Sequence, residues 1–290
     1  MSDQQLCIMM VHAHPDDECL STGGTLARYS AEGIRTVLIT ATGGEEGEIV
    51  VPEMDTPENH ARLSEIRDVE LAQAVEALGV SVHERFGYRD SGMDGTDANN
   101  HPDSFHMANK DEATKRLVAL IRHYRPQILV SYDERGGYGH PDHIACHQIT
   151  VAAFDDAGDA ERYPDAGAPW TPQKLYYTAF PRTAVYKAWT IMRERGMPTP
   201  LDDPEFDVSR FTVDDERVTT VVPIHGYLPQ KRAAIDAHVT QIRKDSPFLS
   251  MPEDVADDLF GIEHFIRVGS RVAVPATNGQ PEDDLFAGLR

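Results

Sequence analysis

Leu6-Cys7-Ile8-Met9-Met10-Val11 runs straight into His12-Ala13-His14-Pro15-Asp16-Asp17-Glu18. An apolar run without alternation reads as a strand covered on both faces, the pattern of a parallel sheet inside an α/β protein. The polar heptad that ends it places two imidazoles and three carboxylates where strand gives way to helix. A second such place lies further on, where the strand-like Ile128-Leu129-Val130-Ser131-Tyr132 precedes His140-Pro141-Asp142-His143. Two strand ends that both offer His and Asp predict one shared site.

Working outward, Thr25 to Tyr29 continues a helix that begins near Asp17 or Thr22 and stops at Gly33, and Thr36 to Thr40 is a second strand. That strand–helix–strand unit suits a parallel crossover. Pro57 opens a helix whose apolar stripe runs through Leu63, Ile66 and Leu71 to Gly79, Val82 to Phe86 is a third strand, and Lys115 to Tyr124 is helical. The fourth strand spans 127–132, a helix starts near His143, and Lys174 to Phe180 is strand-like. Strands and helices in alternation predict a Rossmann-like, mostly parallel sheet flanked by helices. The segment Gly43-Gly44-Glu45-Glu46-Gly47-Glu48 reads as a flexible loop, since its glutamates would repel phosphate. Past Pro181, 184–195 and 229–243 look helical and Val218 to Ile224 strand-like. Residues 1–180 are expected to form the α/β catalytic core, and 181–290 a smaller C-terminal cap on the substrate side with a closing helix, not an independent domain.

The chain of 290 residues carries a formal charge of −21, from 48 acidic against 27 basic side chains. Such a surface repels phosphate-rich partners, so neither nucleic acid nor an anionic membrane is expected, and a small polar molecule is. Homo-oligomerisation stays open. The three cysteines show no CxxC spacing, which indicates neither a disulfide framework nor a thiolate zinc site and fits a reducing cytoplasm. Met1 to Gln5 has no basic character, and the apolar run after it is too short for a signal core or a membrane span.

In open α/β sheets, ligands bind at the carboxyl ends of the strands, where both His clusters fall. His14 and Asp17, on a turn entering a helix, can face one ion, and His143 would complete a set of two imidazoles and one carboxylate with positions left for water and substrate. Zinc suits these ligands, and Fe(II) accepts the same set. A bound divalent ion lowers the pKa of water from about 16 towards 7, and Asp16 is placed to take its proton as general base. His140, oriented by Asp142, is the candidate for stabilising the oxyanion and protonating the leaving amine, with Tyr138 as a second donor. Taken alone, His14-Pro15-Asp16-Asp17 would serve equally as a helix N-cap; it is the pairing with His140 and His143 that indicates a metal. His12 and His238 are left outside the ligand set.

The motifs His14-Pro15-Asp16-Asp17-Glu18 and Gly139-His140-Pro141-Asp142-His143, with Gly23-Gly24-Thr25, resemble the LmbE-like, PIG-L-like family of zinc-dependent N-acetylglucosaminyl deacetylases. The likeness spans most of 6–180, with a weaker signal at 237–242. It implies that His14, Asp17 and His143 bind zinc, that Asp16 is the base, and that His140 acts at the oxyanion and leaving group. Within the family the chain looks closest to the mycothiol-pathway enzymes, which divide into an N-acetylglucosaminyl-inositol deacetylase and an amidase cleaving thiol conjugates. Tyr138, Arg67, Asp90 and Glu48 match positions that in those enzymes assist the reaction or hold the sugar–inositol ligand. His143 to Gln148 and Pro164 to Thr171 look more like the amidase, whereas Asp90 to Asp97 looks more like the deacetylase. The expected activity is hydrolysis of an N-acyl group on an amino-sugar conjugate, with a non-catalytic sugar-binding module as the competing reading.

Overall fold

In the computed structural model, which describes residues 5–273 and 279–290, the strands β1 (Cys7–His12), β2 (Arg35–Thr42), β3 (Val82–Tyr88), β4 (Ile128–Ser131) and β5 (Lys174–Ala179) pair in parallel. Two more, β6 (Thr220–Pro223) and β7 (Ile262–Ser270), complete one sheet in the order β3-β2-β1-β4-β5-β7-β6, with β7 antiparallel to both neighbours. The unbroken apolar run of β1 has the cause expected of it. Cys7, Met9 and Val11 enter one core while Ile8 and Met10 enter the other, so both faces of the strand are covered.

Helices in chain order are α1 (Asp17–Ser21), α2 (Gly23–Ala31), α3 (Pro57–Ala61), α4 (Leu63–Leu78), α5 (Lys110–Tyr124) and the single turn α6 (Gly136–Gly139). They continue with α7 (Pro141–Asp156), α8 (Arg182–Glu194), α9 (Leu228–Ala237), α10 (Pro247–Ser250) and α11 (Glu253–Phe260). One face of the sheet packs against α5 and α7 through Leu117, Ile121, Cys146 and Ile149. The other packs against α2, α4 and α9 through Leu26, Leu71, Leu228 and Ile235. All three cysteines are buried and unpaired. Among the described residues no helix is long and apolar enough to cross a membrane.

Three elements differ from the sequence reading. The helix expected from Pro57 breaks at Arg62 into α3 and α4, because Arg62 leaves the helical region (φ −127°, ψ 23°). The helix expected over 229–243 ends at Ala237, where His238 takes φ −83° and ψ 62°, and the residues after it run along the site instead. Residues 181–290 do not only lie over the sheet: they build two of its strands, with β7 registered on β5 from Lys174 opposite Ser270 to Ala179 opposite His264. No helix follows β7 among the described residues, so the closing helix is absent there and α11 precedes the last strand.

Strand order reverses between β1 and β4, and at such a switch point the loops leaving the two strands part to open a crevice. His14 follows β1 and His140 to His143 follow β4, so topology alone brings the motifs together.

Candidate active site

On the β1 side the chain turns sharply. Asp16 sits just before α1 with φ 116°, a backbone conformation that costs a residue with a Cβ of the order of 1–3 kcal/mol. Arg67 of α4 helps hold it there. Its Nη2 donates to the Pro15 carbonyl and, at 3.3 Å, to Asp16 Oδ2. Gly44, at φ 70°, admits the guanidinium where any Cβ would collide with it, and its carbonyl accepts Nη1 at 2.9 Å. The glycine-rich stretch is therefore a seat for Arg67 rather than a loose loop, and Glu45 ties it down further by accepting the Asp90 amide at 2.9 Å.

On the β4 side Asp133 Oδ1 accepts the Gly137 amide at 2.8 Å, shaping the turn that presents the Gly136 carbonyl to His143 Nδ1 at 3.2 Å. Gly136 needs its positive φ of 64°, and a Cβ there would run into His143. His140 caps α7: its Nδ1 accepts the Asp142 amide at 3.2 Å, and Pro141 follows as the first helical residue. That bond leaves the ring proton on Nε2.

Between the two ends the donors converge. His14 Nε2 meets Asp142 Oδ2 at 3.2 Å and His143 Nδ1 meets Gly136, so each ring has one nitrogen held by an oxygen. The other two, His14 Nδ1 and His143 Nε2, face each other at 3.2 Å. Asp17 Oδ2 lies 3.5 Å from the first and Oδ1 3.5 Å from the second. Ligands about 2.0–2.1 Å from a tetrahedral centre stand roughly 3.4 Å apart, which this triangle matches. Imidazoles oriented from behind by a carboxylate and a carbonyl are the usual supports of a metal ligand. The buried His/Asp cluster thus fits a divalent cation.

The charges agree with that fit. Burial disfavours a proton on His14, yet Asp90, Asp142 and Asp17 around it hold its pKa well above the ordinary imidazole value. Burial pushes His143 down to about 3. Burial also opposes the charge on Asp17, but His143 and His14 keep its carboxyl well below the usual range. A cation bound here would replace the proton that His14 carries. Burial pushes the Asp16 carboxyl up to about 6 against the pull of Arg67, near the value a general base needs at neutral pH.

The structure places the remaining expected residues unevenly. Asp142 orients His14, not His140: its carboxylate reaches His14 and Ser91, and only its backbone amide meets His140. This corrects the sequence reading, in which side-chain direction on a new helix could not be known. Arg67 and Asp90 are each 3% exposed, and their polar atoms are turned to the site's own groups, Asp16 for the first and His14 at 3.5 Å for the second. Tyr138 is exposed at the rim, its ring 5.0 Å from that of His143. Glu48 is exposed on its loop. His12 lies behind the site between Tyr132 and Thr22.

Sequence reasoning missed Tyr132 and Ser91. Tyr132 Oη donates to Asp17 Oδ2 at 2.8 Å, and its ring stacks on His143 with centroids 4.1 Å apart. Ser91 gives Asp142 two hydrogen bonds, one from its amide at 2.9 Å and one from Oγ. Neither residue carries a motif; Tyr132 offered only its place at the end of a strand.

A Rossmann-ordered sheet with a buried His/Asp cluster at its switch point defines an α/β protein whose site could hold a divalent cation. Comparison with known proteins narrows the class. The family model "PIG-L: GlcNAc-PI de-N-acetylase" matches residues 9–154. The 1D-myo-inositol 2-acetamido-2-deoxy-alpha-D-glucopyranoside deacetylase of Acidothermus cellulolyticus is 43% identical over 289 residues, covering 97% of this chain and 94% of its own. The enzyme of the same name from Thermomonospora curvata is 41% identical over 297 residues, covering 100% and 99%. Among solved structures, N,N'-diacetylchitobiose deacetylase from Pyrococcus horikoshii superimposes with a TM-score of 0.62 at 17% identity, over 91% of this chain and 84% of that one. GalB, a 4-carboxy-2-hydroxymuconate hydratase from Pseudomonas putida, does so with 0.63 at 19%, over 94% and 100%. A deacetylase and a hydratase on one scaffold show that the fold alone does not choose the reaction. The chain belongs to the PIG-L family of de-N-acetylases, hydrolases of amide bonds.

Proposed function

We propose that this protein removes the acetyl group from the glucosamine nitrogen of N-acetylglucosaminyl-inositol in the cytoplasm, with zinc held by His14, Asp17 and His143. The observation that carries the metal reading is the pair of imidazole nitrogens facing each other beside Asp17. The substrate reading is supported by relatives above 40% identity across nearly the whole chain, all named for that deacetylation. A thiol-conjugate amidase would use the same machinery on a larger acyl group, and those relatives favour the deacetylase.

When bound, the ion supplies Lewis acidity, lowering the pKa of a water and polarising the acetyl carbonyl. Asp16, elevated by burial and aimed by Arg67, takes the proton of the attacking water as the new C–O bond forms. His140 is kept in the Nε2–H form by the Asp142 amide, and burial with His14 nearby lowers its pKa, so a neutral donor faces the developing oxyanion. As the C–N bond breaks, Asp16 returns the water's proton to the amine nitrogen, the step first expected of His140, giving acetate and glucosaminyl-inositol. Tyr138, at the rim, is the second donor. Arg67 and Asp90 act on substrate through the groups they hold, and Glu48, exposed on its loop, is assigned to the aglycone by its match to the family's ligand-holding position.

Incubating the zinc-loaded protein with N-acetylglucosaminyl-inositol should release one acetate and one primary amine per turnover. Dialysis against a chelator should abolish the rate, and zinc should restore it. A protein that binds no divalent ion, and whose activity ignores chelators, would remove the metal from the mechanism. A higher kcat/KM on a mycothiol conjugate in the same assay would transfer the assignment to the amidase.

A further inference from the structure

Behind the cluster lies a second group of buried side chains that the reaction does not touch. Glu18, Cys19 and His238 bring metal-type atoms within 4.8 Å of one another. Their capacity is already spent internally, so they do not make a second ion site. Glu18 Oε1 accepts His238 Nε2 at 2.8 Å, and Oε2 accepts the Asp16 amide at 2.9 Å. Cys19 Sγ donates to the Asp16 carbonyl at 3.0 Å. Two of these bonds end on the backbone of Asp16, which at φ 116° holds a left-handed conformation despite carrying a side chain.

The three successive carboxylates thus have three different electropositive counterparts. Asp16 has Arg67 at 3.3 Å, Asp17 has His14 and His143 each at 3.5 Å, and Glu18 has His238. Glu18 and His238 are both fully buried, and among the described residues His238 Nδ1 has no hydrogen-bond partner, so the ring's one polar contact there is with Glu18. A buried imidazole nitrogen left unpaired is costly. The segment that delivers it is itself pinned: Thr240 donates to Glu70 through its amide at 2.8 Å and its Oγ1 at 2.7 Å, and its carbonyl accepts the Val50 amide at 2.9 Å. A carboxylate held only by backbone could rotate away from the Asp16 amide. With His238 on its other oxygen it cannot.

We propose that His238 is a positioning residue for the deacetylation: by clamping Glu18 against the Asp16 amide it holds the general base in its strained backbone conformation. The C-terminal segment 238–240 thereby takes part in the reaction without touching substrate. A shift of about 1 Å in a reacting group can cost on the order of 100-fold in rate, and partners one shell out from a site are typically worth 10- to 100-fold. The inference rests on Asp16 being the base.

His238→Ala is expected to lower kcat about 10- to 100-fold with KM changed less than about threefold and zinc content unchanged. Two amide variants locate the contact. His238→Gln reaches the Nε2 position and should recover most of the lost kcat, whereas His238→Asn reaches only the unpartnered Nδ1 side and should not. They also serve if His238→Ala is too unstable to assay. In an Asp16→Ala background, His238→Ala should lower the residual rate no further, because its effect runs through Asp16. Equal kcat for the parent and His238→Ala, equal rescue by Gln and Asn, or an additive double variant would each overturn the proposal. A fully active Asp16→Ala protein would instead overturn the assignment of the base.

Discussion

At the end of β1, His14-Pro15-Asp16 turns through a left-handed aspartate, whereas at the end of β4 His140-Pro141-Asp142 enters α7 with no positive φ. The tripeptide is the same and the roles are exchanged. In the first copy the imidazole faces the metal position and the following aspartate points to solvent-accessible space, its side chain 19% exposed. In the second, one ring nitrogen of the imidazole caps the helix, and the aspartate is fully buried behind His14. A third copy, His101-Pro102-Asp103, repeats the local bond of the second, with the Asp103 amide on His101 Nδ1 at 3.2 Å, yet all three residues are exposed. The same tripeptide takes different turns and different roles, and its place in the sheet decides both.

The largest test of this contrast lies in the two aspartates. Asp16→Asn should lower kcat by roughly 10²- to 10⁴-fold, the usual worth of general acid–base catalysis, while metal analysis shows full occupancy. Asp16→Gly should be equally inactive, and because it relieves the left-handed strain and removes a carboxylate beside Asp17 and Glu18, its thermal midpoint should rise by a few degrees. A fall in that midpoint would show that the turn is not strained. Asp142→Ala should behave in the opposite way: competition with a chelator should report metal affinity reduced about 10- to 100-fold, activity should return partly with added zinc, and the midpoint should fall. The smallest effect is expected from Ser91→Ala, which removes one donor from Asp142 while leaving the amide bond. A loss of about 1 kcal/mol in denaturant unfolding, with activity lowered only a few-fold, would match a supporting role. An unchanged protein would mean that the Ser91 amide and His14 Nε2 suffice to hold Asp142.

The comparison also separates what was legible in the chain. The convergence of His14, Asp17, His140 and His143 was readable because apolar runs mark the two strand ends and both ends offer His with Asp. The strands of the parallel sheet were readable for the same reason. In 181–290 the strand over 218–224 was readable as a strand, but its place at the sheet's edge was not, and β7 was missed because it alternates only weakly in burial. Nor was the seat of Arg67, which depends on a glycine 23 positions away.

Sequence by itself determined the α/β class, the carboxyl-edge placement of both His motifs and the residue types able to hold a cation. These follow from periodicity and chain connectivity, which are local. Only the tertiary structure decided which nitrogen of each imidazole is free, that Asp142 serves His14, and that Tyr132, Ser91 and His238 stand behind the site. Apart from the bond of His143 to Gly136, which spans 7 positions, the bonds concerned join residues 51 to 220 positions apart. Directional contacts of that span exist only once the strand order has brought their elements together, and no local pattern encodes them.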